Sequence, residues 1–195
     1  MYKILVSPLD EIKRFKKEKS LGKSFLYLLF ALVIGLVAGL VFSVKLPFGF
    51  SKELVVLLAC LVCVFLLALF KAVLYKTVFW VLKGKHNFFA SLAPVSFCGF
   101  VWSVGVLLAV LLSFIPKLGL LLAGLVLCLT LVFAVSVKVK AVMELFEVDL
   151  LTSLFACWLV FTVFFVMAYL VIAVSMYLFN AGLLSGMMPG MMGAY

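Results

Sequence analysis

Acidic residues and histidine are scarce in this chain of 195 residues. Seven Asp and Glu stand against sixteen Lys and Arg, there is a single His, and the formal net charge is +9. No Asp or Glu occurs between Glu53 and Glu144. A proton-coupled transporter usually needs an ionisable relay within the membrane, so this absence argues against that class. The only His, His86, has no evident acidic partner nearby. Because the common catalytic motifs are also missing, we expect no enzyme, no metal site and no cofactor.

Apolar residues dominate what is present. They make up 69% of the chain, and charged residues make up 12%, whereas a soluble domain is about half apolar and one quarter charged. The long runs are continuous rather than alternating, which favours helices over a β-barrel in the bilayer. We therefore predict an all-α polytopic membrane protein, a bundle of five transmembrane helices forming one domain with a short tail at 180–195. The predicted spans are about 24–44, 54–82, 88–114, 118–147 and 150–179.

The distribution of Lys and Arg predicts the orientation of these spans. Thirteen of the sixteen lie on one side, and only Lys45, Lys52 and Lys117 lie on the other. Basic residues near span ends mark the cytoplasmic side. We expect an integral membrane protein with a cytoplasmic N-terminus and a C-terminus on the outside.

Residues 7–20 are predicted to form a short amphipathic interfacial helix on that basic side. Ser7 is a plausible N-cap, and Pro8 suits the first helical position. Leu9, Ile12 and Phe15 recur at three-residue steps and form an apolar stripe. A helix of this kind can lie in the head-group layer with its apolar stripe facing the lipid.

Basic residues on this face are candidates for contact with anionic lipid head groups or with a partner protein. Alternatively, their charges only set the topology of the spans. We expect anionic membrane lipids as partners, with a membrane protein or a second copy of the chain as further candidates, and no nucleic acid. The contact residues predicted are Lys13, Arg14, Lys16, Lys17, Lys83 and Lys85.

An acidic cluster lies on the same side, just before the fifth span. It consists of Glu144, Glu147 and Asp149. Its charge is opposite to that of the N-terminal helix, so we expect the two to attract each other. The alternative is two separately solvated surfaces.

The second span contains a lysine whose depth can be estimated. Lys71 lies 18 residues after Glu53, which corresponds to about 27 Å of helix. This places Lys71 at the inner membrane boundary, where its side chain can reach the head groups. We expect the helix to continue past the membrane surface through Trp80, with Tyr75 and Trp80 as anchors at the interface.

Small residues recur at four-residue spacing on two of the spans. Such faces allow helix backbones to approach closely, either within the bundle or between copies. The third span carries Gly105, Ala109 and Ser113. The predicted packing face of the first span is Ala31, Gly35, Gly39 and Ser43.

Three stretches of the chain carry a family resemblance: Ser7–Ile12, Lys83–Phe88 and Ala141–Asp149. Their order along the chain resembles the Yip family (Ypt/Rab-GTPase-interacting membrane proteins), especially its short prokaryotic members. The resemblance implies five spans, a cytosolic N-terminus and a short C-terminus on the far side. The chain lacks the Asp-Leu-Tyr-Gly-Pro and Gly-Tyr-x-x-x-Pro stretches of the eukaryotic members, so the resemblance implies lipid association and partner scaffolding rather than GTPase binding.

Two functions remain open from the sequence. The first is a non-enzymatic membrane scaffold that organises lipids or partner proteins through its basic cytoplasmic face. The second is a transporter or channel subunit for a small solute, which would need a water-accessible cavity. The side chains expected to line that cavity are Ser96, Ser103, Thr130 and Tyr169.

Overall fold

The computed structural model describes residues 3–18, 21–43, 50–83, 88–116 and 118–187, and every regular element in these ranges is an α-helix. The helices are α1 (Lys3–Val6), α2 (Pro8–Glu18), α3 (Leu21–Ser43), α4 (Phe50–Lys83), α5 (Phe88–Leu112), α6 (Gly119–Phe146) and α7 (Leu150–Met187).

Five of these helices, α3 to α7, are long and apolar enough to cross a membrane, which confirms the predicted fold class. Helix α4 has 34 residues and α6 has 28, which correspond to about 51 and 42 Å. Both exceed the roughly 30 Å of the hydrocarbon core. The two helices continue well past Lys71 and Lys138, as the sequence predicts.

Side-chain sizes inside and outside the structure agree with a lipid environment. Alanine is prominent among the buried residues, and Ala72, Ala93 and Ala141 are fully enclosed. Large apolar side chains such as Leu120 and Leu129 point outward instead. Small residues at helix contacts and bulky residues outside are typical of membrane helices, because lipid tails solvate Leu and Phe as well as a protein core does. The chain is an integral membrane protein.

Contacts divide the chain into two compact units, Met1–Cys157 and Trp158–Tyr195. In the first unit, α5 is central and packs against α3, α4 and α6, while α2 packs against α6. The second unit contains the remainder of α7, in which the rings of Phe161 and Phe165 lie 4.6 Å apart.

The turn between α6 and α7 is three residues long and is capped at both ends. Glu147 follows the last residue of α6 in the left-handed conformation, with φ 52°. The N–H groups of Glu147 and Val148 donate to the carbonyl oxygen of Met143, which satisfies the C-terminal end of α6. The carboxylate of Asp149 then accepts from the backbone N–H of Thr152 at 3.3 Å and from its hydroxyl, which caps the N-terminus of α7.

Candidate functional site

Helix α2 is the most distinctive feature of the basic side. The backbone N–H of Glu11 donates to the carbonyl of Ser7, so the helix begins where Ser7 and Pro8 predict. Asp10 and Glu11 lie in its first turn, and Lys16 and Lys17 lie in its last. This order of charges complements the helix dipole and stabilises the helix.

The apolar stripe of α2 packs on protein. Ile12 is fully buried and Phe15 is 5% exposed, and both belong to the hydrophobic core cluster. The ring of Phe15 lies edge-on to Phe97 of α5 at 5.3 Å. Leu9, the third expected member of the stripe, is 39% exposed. Ile12 and Phe15 therefore pack on protein, because the neighbouring helices provide an apolar seat for them, while Leu9 stays exposed.

Two polar contacts hold α2 on this seat. The hydroxyl of Tyr27 on α3 donates to Glu11 Oε1 at 3.1 Å. The ring of Tyr27 also lies 5.0 Å from that of Phe97, so the same residue contributes to the apolar seat. On the other side of the helix, Lys16 Nζ lies 2.6 Å from Glu147 Oε1. This ion pair brings one predicted basic residue together with one predicted acidic residue.

Glu147 is the only residue other than glycine with positive φ among the described parts of the chain. A side chain in this conformation costs roughly 1–2 kcal/mol, and glycine is the usual solution at such a helix end. The strained position keeps a carboxylate within reach of Lys16, which identifies Glu147 as a candidate functional residue.

The remaining basic residues of α2 lie on the face opposite the seat. Lys13, Arg14 and Lys17 are exposed. At 100° per residue, all three lie within a 100° arc on the side away from Ile12 and Phe15. We call this group the α2 basic face. Lys16 separates from it, because its charge turns towards Glu147.

The other two acidic residues occupy different positions. Asp149 uses its carboxylate to cap α7, and the hydrogen bonds from Thr152 lower the pKa of that carboxyl below its usual value. Glu144 is half-buried on α6. The acidic cluster predicted from the sequence is therefore divided between an ion pair, a helix cap and a half-buried side chain.

Three predicted residues lie at or beyond the limits of the described ranges. Lys83 is the last residue of α4, but its side chain lies outside the described residues, and so does that of Ser43 at the end of α3. Lys85 lies outside them altogether.

The small residues predicted to form packing faces differ from one another. Ala31 is buried in the core cluster and faces Gly99 of α5, whose added Cβ would lie 4.0 Å from Ala31 Cβ. Gly35 and Gly39 are half-exposed, and a Cβ at Gly35 would meet nothing within 4 Å. Close approach instead occurs at Gly105 of α5, where a Cβ would overlap the side chain of Thr130 on α6.

The four side chains expected to line a solute cavity differ in their burial and in the groups that they contact. The hydroxyl of Ser96 is buried and donates to the carbonyl of Leu92 on its own helix at 2.9 Å. Thr130 packs closely against Gly105, and Ser103 is half-buried. Tyr169 belongs to the second unit and is 71% exposed.

A second polar group lies between α4, α6 and the start of α7, and the sequence does not reveal it. Tyr75 is fully buried rather than exposed as an interface anchor, and its hydroxyl donates to Cys157 Sγ at 3.4 Å. The ammonium group of Lys138 lies 5.2 Å from the centre of the Tyr75 ring. Trp80, by contrast, is 63% exposed, as an interface anchor should be. The only sequence signal for the group is that Lys71 and Lys138 have similar depths in their spans.

Among the described residues, no group of three or more His, Cys, Asp and Glu side chains is placed to hold a metal ion. Comparisons of the chain with protein-family models, with curated proteins and with solved structures find no match.

Proposed function

We propose that this protein is a non-enzymatic membrane scaffold that gathers anionic lipids around the α2 basic face on the cytoplasmic side of the membrane. The observation that carries the proposal is the seating of α2. Ile12 and Phe15 are buried in the core, while Lys13, Arg14 and Lys17 stay exposed on the opposite face. An ordinary interfacial helix would use its apolar side to hold itself in the lipid.

The charge balance supports the same proposal. The three basic residues of the α2 basic face share that side of the helix with one acidic residue, Asp10, so the face keeps a net positive charge. Each Lys or Arg near an anionic membrane surface contributes about 1 kcal/mol of attraction. The resemblance to the Yip family, in which lipid association and scaffolding are expected, agrees with this function.

The test is lipid selection in bilayers. The full-length protein is reconstituted into nanodiscs formed from an equimolar mixture of phosphatidylglycerol and phosphatidylcholine, and the captured lipids are quantified by mass spectrometry. In the triple variant Lys13→Gln, Arg14→Gln, Lys17→Gln, we expect the preference for phosphatidylglycerol to fall by up to about fivefold per charge removed. The preference should also weaken in high salt.

A charge-preserving control separates electrostatics from damage to the fold. The variant Lys13→Arg, Arg14→Lys, Lys17→Arg keeps every positive charge and should select lipids as the wild type does. If the neutralised variant selects phosphatidylglycerol as strongly as this control, the α2 basic face does not gather anionic lipid and the proposal is wrong.

A further inference from the structure

Three exposed side chains of α2 form a stripe along the helix. Leu9, Lys13 and Lys17 recur every four residues, so successive members lie about 6 Å apart along the helix and about 40° apart around it. All three are exposed. The stripe therefore presents one apolar group followed by two ammonium groups to the surroundings of the protein.

The two ammonium groups of this stripe are available to a ligand. Neither Lys13 nor Lys17 forms an ion pair with a carboxylate in the parts of the chain that the structure describes. Asp10, the acidic residue on this side of the helix, lies three residues before Lys13 and seven before Lys17. It therefore stays about 10 Å from Lys17 along the helix axis and can neutralise at most one basic residue.

The spacing of the two lysines is fixed by the packing of α2. Ile12 and Phe15 lie in the same turns of the helix, and both are buried in the core cluster. The backbone between Lys13 and Lys17 is therefore held in place before a ligand arrives, so only the lysine side chains lose freedom on binding. Two linked anionic groups gain from this arrangement, because the second one binds intramolecularly after the first.

The position of α2 along the bundle indicates a ligand from the membrane. The buried side of α2 shares the core cluster with Ala134, Val137 and Ala141 of α6. Lys16 reaches Glu147, which follows the last residue of α6. Helix α2 therefore lies beside the final turns of α6, where this span reaches the basic side of the protein. Lipid head groups are concentrated at such a level, and Leu9 offers an apolar surface to the acyl chains that adjoin them.

We infer that Leu9, Lys13 and Lys17 form a site for one lipid whose head group carries two phosphodiester groups joined by a short bridge. The ammonium group of Lys13 binds one phosphate, that of Lys17 binds the other, and Leu9 packs against an acyl chain. Two charge-assisted contacts of fixed spacing favour two phosphates on one molecule over two phosphates on separate lipids. The inference rests on the proposed function, since it names the class of lipid that the α2 basic face selects.

The test is a lipid titration of the full-length protein in maltoside detergent, with retained lipid counted by native mass spectrometry. Tetraoleoyl-cardiolipin, which has two phosphodiesters on a glycerol bridge, is the probe. Dioleoyl-phosphatidylglycerol is the comparison, at an equal concentration of phosphate. We expect cardiolipin to bind at least about 10-fold more tightly. Equal affinities would overturn the inference, whereas the proposed function is refuted separately, by a triple Gln variant that keeps its preference for phosphatidylglycerol in nanodiscs.

Single variants locate the site on the helix. Lys13→Gln and Lys17→Gln should each reduce the preference for cardiolipin over phosphatidylglycerol to about twofold or less, because one ammonium group cannot bind two phosphates at once. Lys140→Gln is the matched control, since it removes one exposed lysine from α6 and should keep the full preference. The double variant Lys13→Arg, Lys17→Arg retains both charges and should also keep it. A preference that survives both single α2 variants, or that falls as far in Lys140→Gln, would overturn the site.

Two other probes separate the number of phosphates from the total charge and from the lipid chains. Dioleoyl-phosphatidic acid places up to about two negative charges on a single phosphate, so it should bind more weakly than cardiolipin. Inorganic pyrophosphate has two linked phosphates without acyl chains, and it should displace cardiolipin poorly. Phosphatidic acid that binds as tightly as cardiolipin would overturn the requirement for two phosphates. Pyrophosphate that displaces cardiolipin at equal concentration would overturn the assignment to a lipid.

A variant of Leu9 tests the apolar end of the stripe. Because Leu9 is 39% exposed, Leu9→Gln should leave the lipid-free unfolding temperature unchanged while the affinity for cardiolipin falls. The same comparison applies to the two single lysine variants, whose side chains are also exposed. An unchanged affinity in Leu9→Gln would show that the lipid does not lie along this stripe and would contradict the inference.

Discussion

The close contact between α5 and α6 at Gly105 provides a sharp test of the packing. At Gly105 of α5, an added methyl group would overlap Cγ2 and Oγ1 of Thr130 on α6 and would lie 2.6 Å from Thr130 Cβ. Rotation of the Thr130 side chain can move the first two atoms but leaves Cβ in place. Since real Cβ contacts essentially never fall below 3.0 Å, Gly105→Ala must separate α5 from α6.

The cost can be estimated with a matched control. Overpacking of this kind typically costs about 1–3 kcal/mol. Replacing a helical Gly by Ala also gains about 1 kcal/mol of helix propensity in water. Gly35→Ala on α3 makes the same chemical change where the added methyl meets nothing within 4 Å. The propensity gain is common to both variants, so the difference between them isolates the packing cost.

We expect Gly105→Ala to unfold at lower denaturant than Gly35→Ala, with a difference in unfolding free energy of about 1–3 kcal/mol. The assay is reversible unfolding in mixed detergent micelles with increasing dodecyl sulfate, followed by the fluorescence of the three tryptophans. Thr130→Gly should partly rescue Gly105→Ala, since it returns the lost space, and a double-mutant cycle would show a positive coupling. If the two alanine variants unfold within about 0.5 kcal/mol of each other, the close approach of α5 and α6 is wrong.

Two further predictions concern the turn between α6 and α7. Glu147→Gly should be more stable than Glu147→Gln by roughly 1–2 kcal/mol, because both lose the ion pair but only glycine relieves the left-handed conformation; chemical unfolding of the two variants measures this, and a less stable glycine variant would contradict it. The hydrogen bonds from Thr152 hold the pKa of the Asp149 carboxyl below its unfolded value, so their stabilisation is present above the unfolded pKa and is lost as the pH falls through the folded pKa. In Thr152→Val, the pKa of Asp149 measured by NMR should rise towards the ordinary value, and an unchanged pKa would disprove the cap.

The spans could be predicted from the sequence because a helix that crosses the hydrocarbon core of a bilayer needs about 20 apolar residues in a row. Continuous apolar runs predicted α3 to α7, and the depth of Lys71 predicted that α4 extends through Trp80. The start of α2 could be predicted from Ser7 and Pro8, since caps depend on local backbone chemistry.

Contacts between helices could not be predicted in the same way. Helices α3 to α7 are apolar around their whole circumference, so their sequences do not indicate which residues face a neighbour. Tyr75 could equally have been an interface anchor or a buried residue. The same ambiguity concealed the position of Lys138 over the ring of Tyr75.

For a related reason, the sequence does not indicate whether the apolar stripe of α2 packs against lipid or against protein. The spacing of Ile12 and Phe15 shows that one side of the helix is apolar, but lipid and protein satisfy such a side equally well. Only the arrangement of Phe97 and Tyr27 on the neighbouring helices decides between them.

The packing of Phe15 against Phe97 affects how strongly the α2 basic face can attract anionic lipid. A peptide that folds at the bilayer must lose conformational entropy as it docks, and that loss weakens its attraction to charge. In this protein the backbone of α2 is already ordered by folding, so lipid binding requires no further loss of backbone entropy there. Lys13, Arg14 and Lys17 are therefore preorganised, and the α2 basic face should keep its shape when the surrounding lipid becomes neutral.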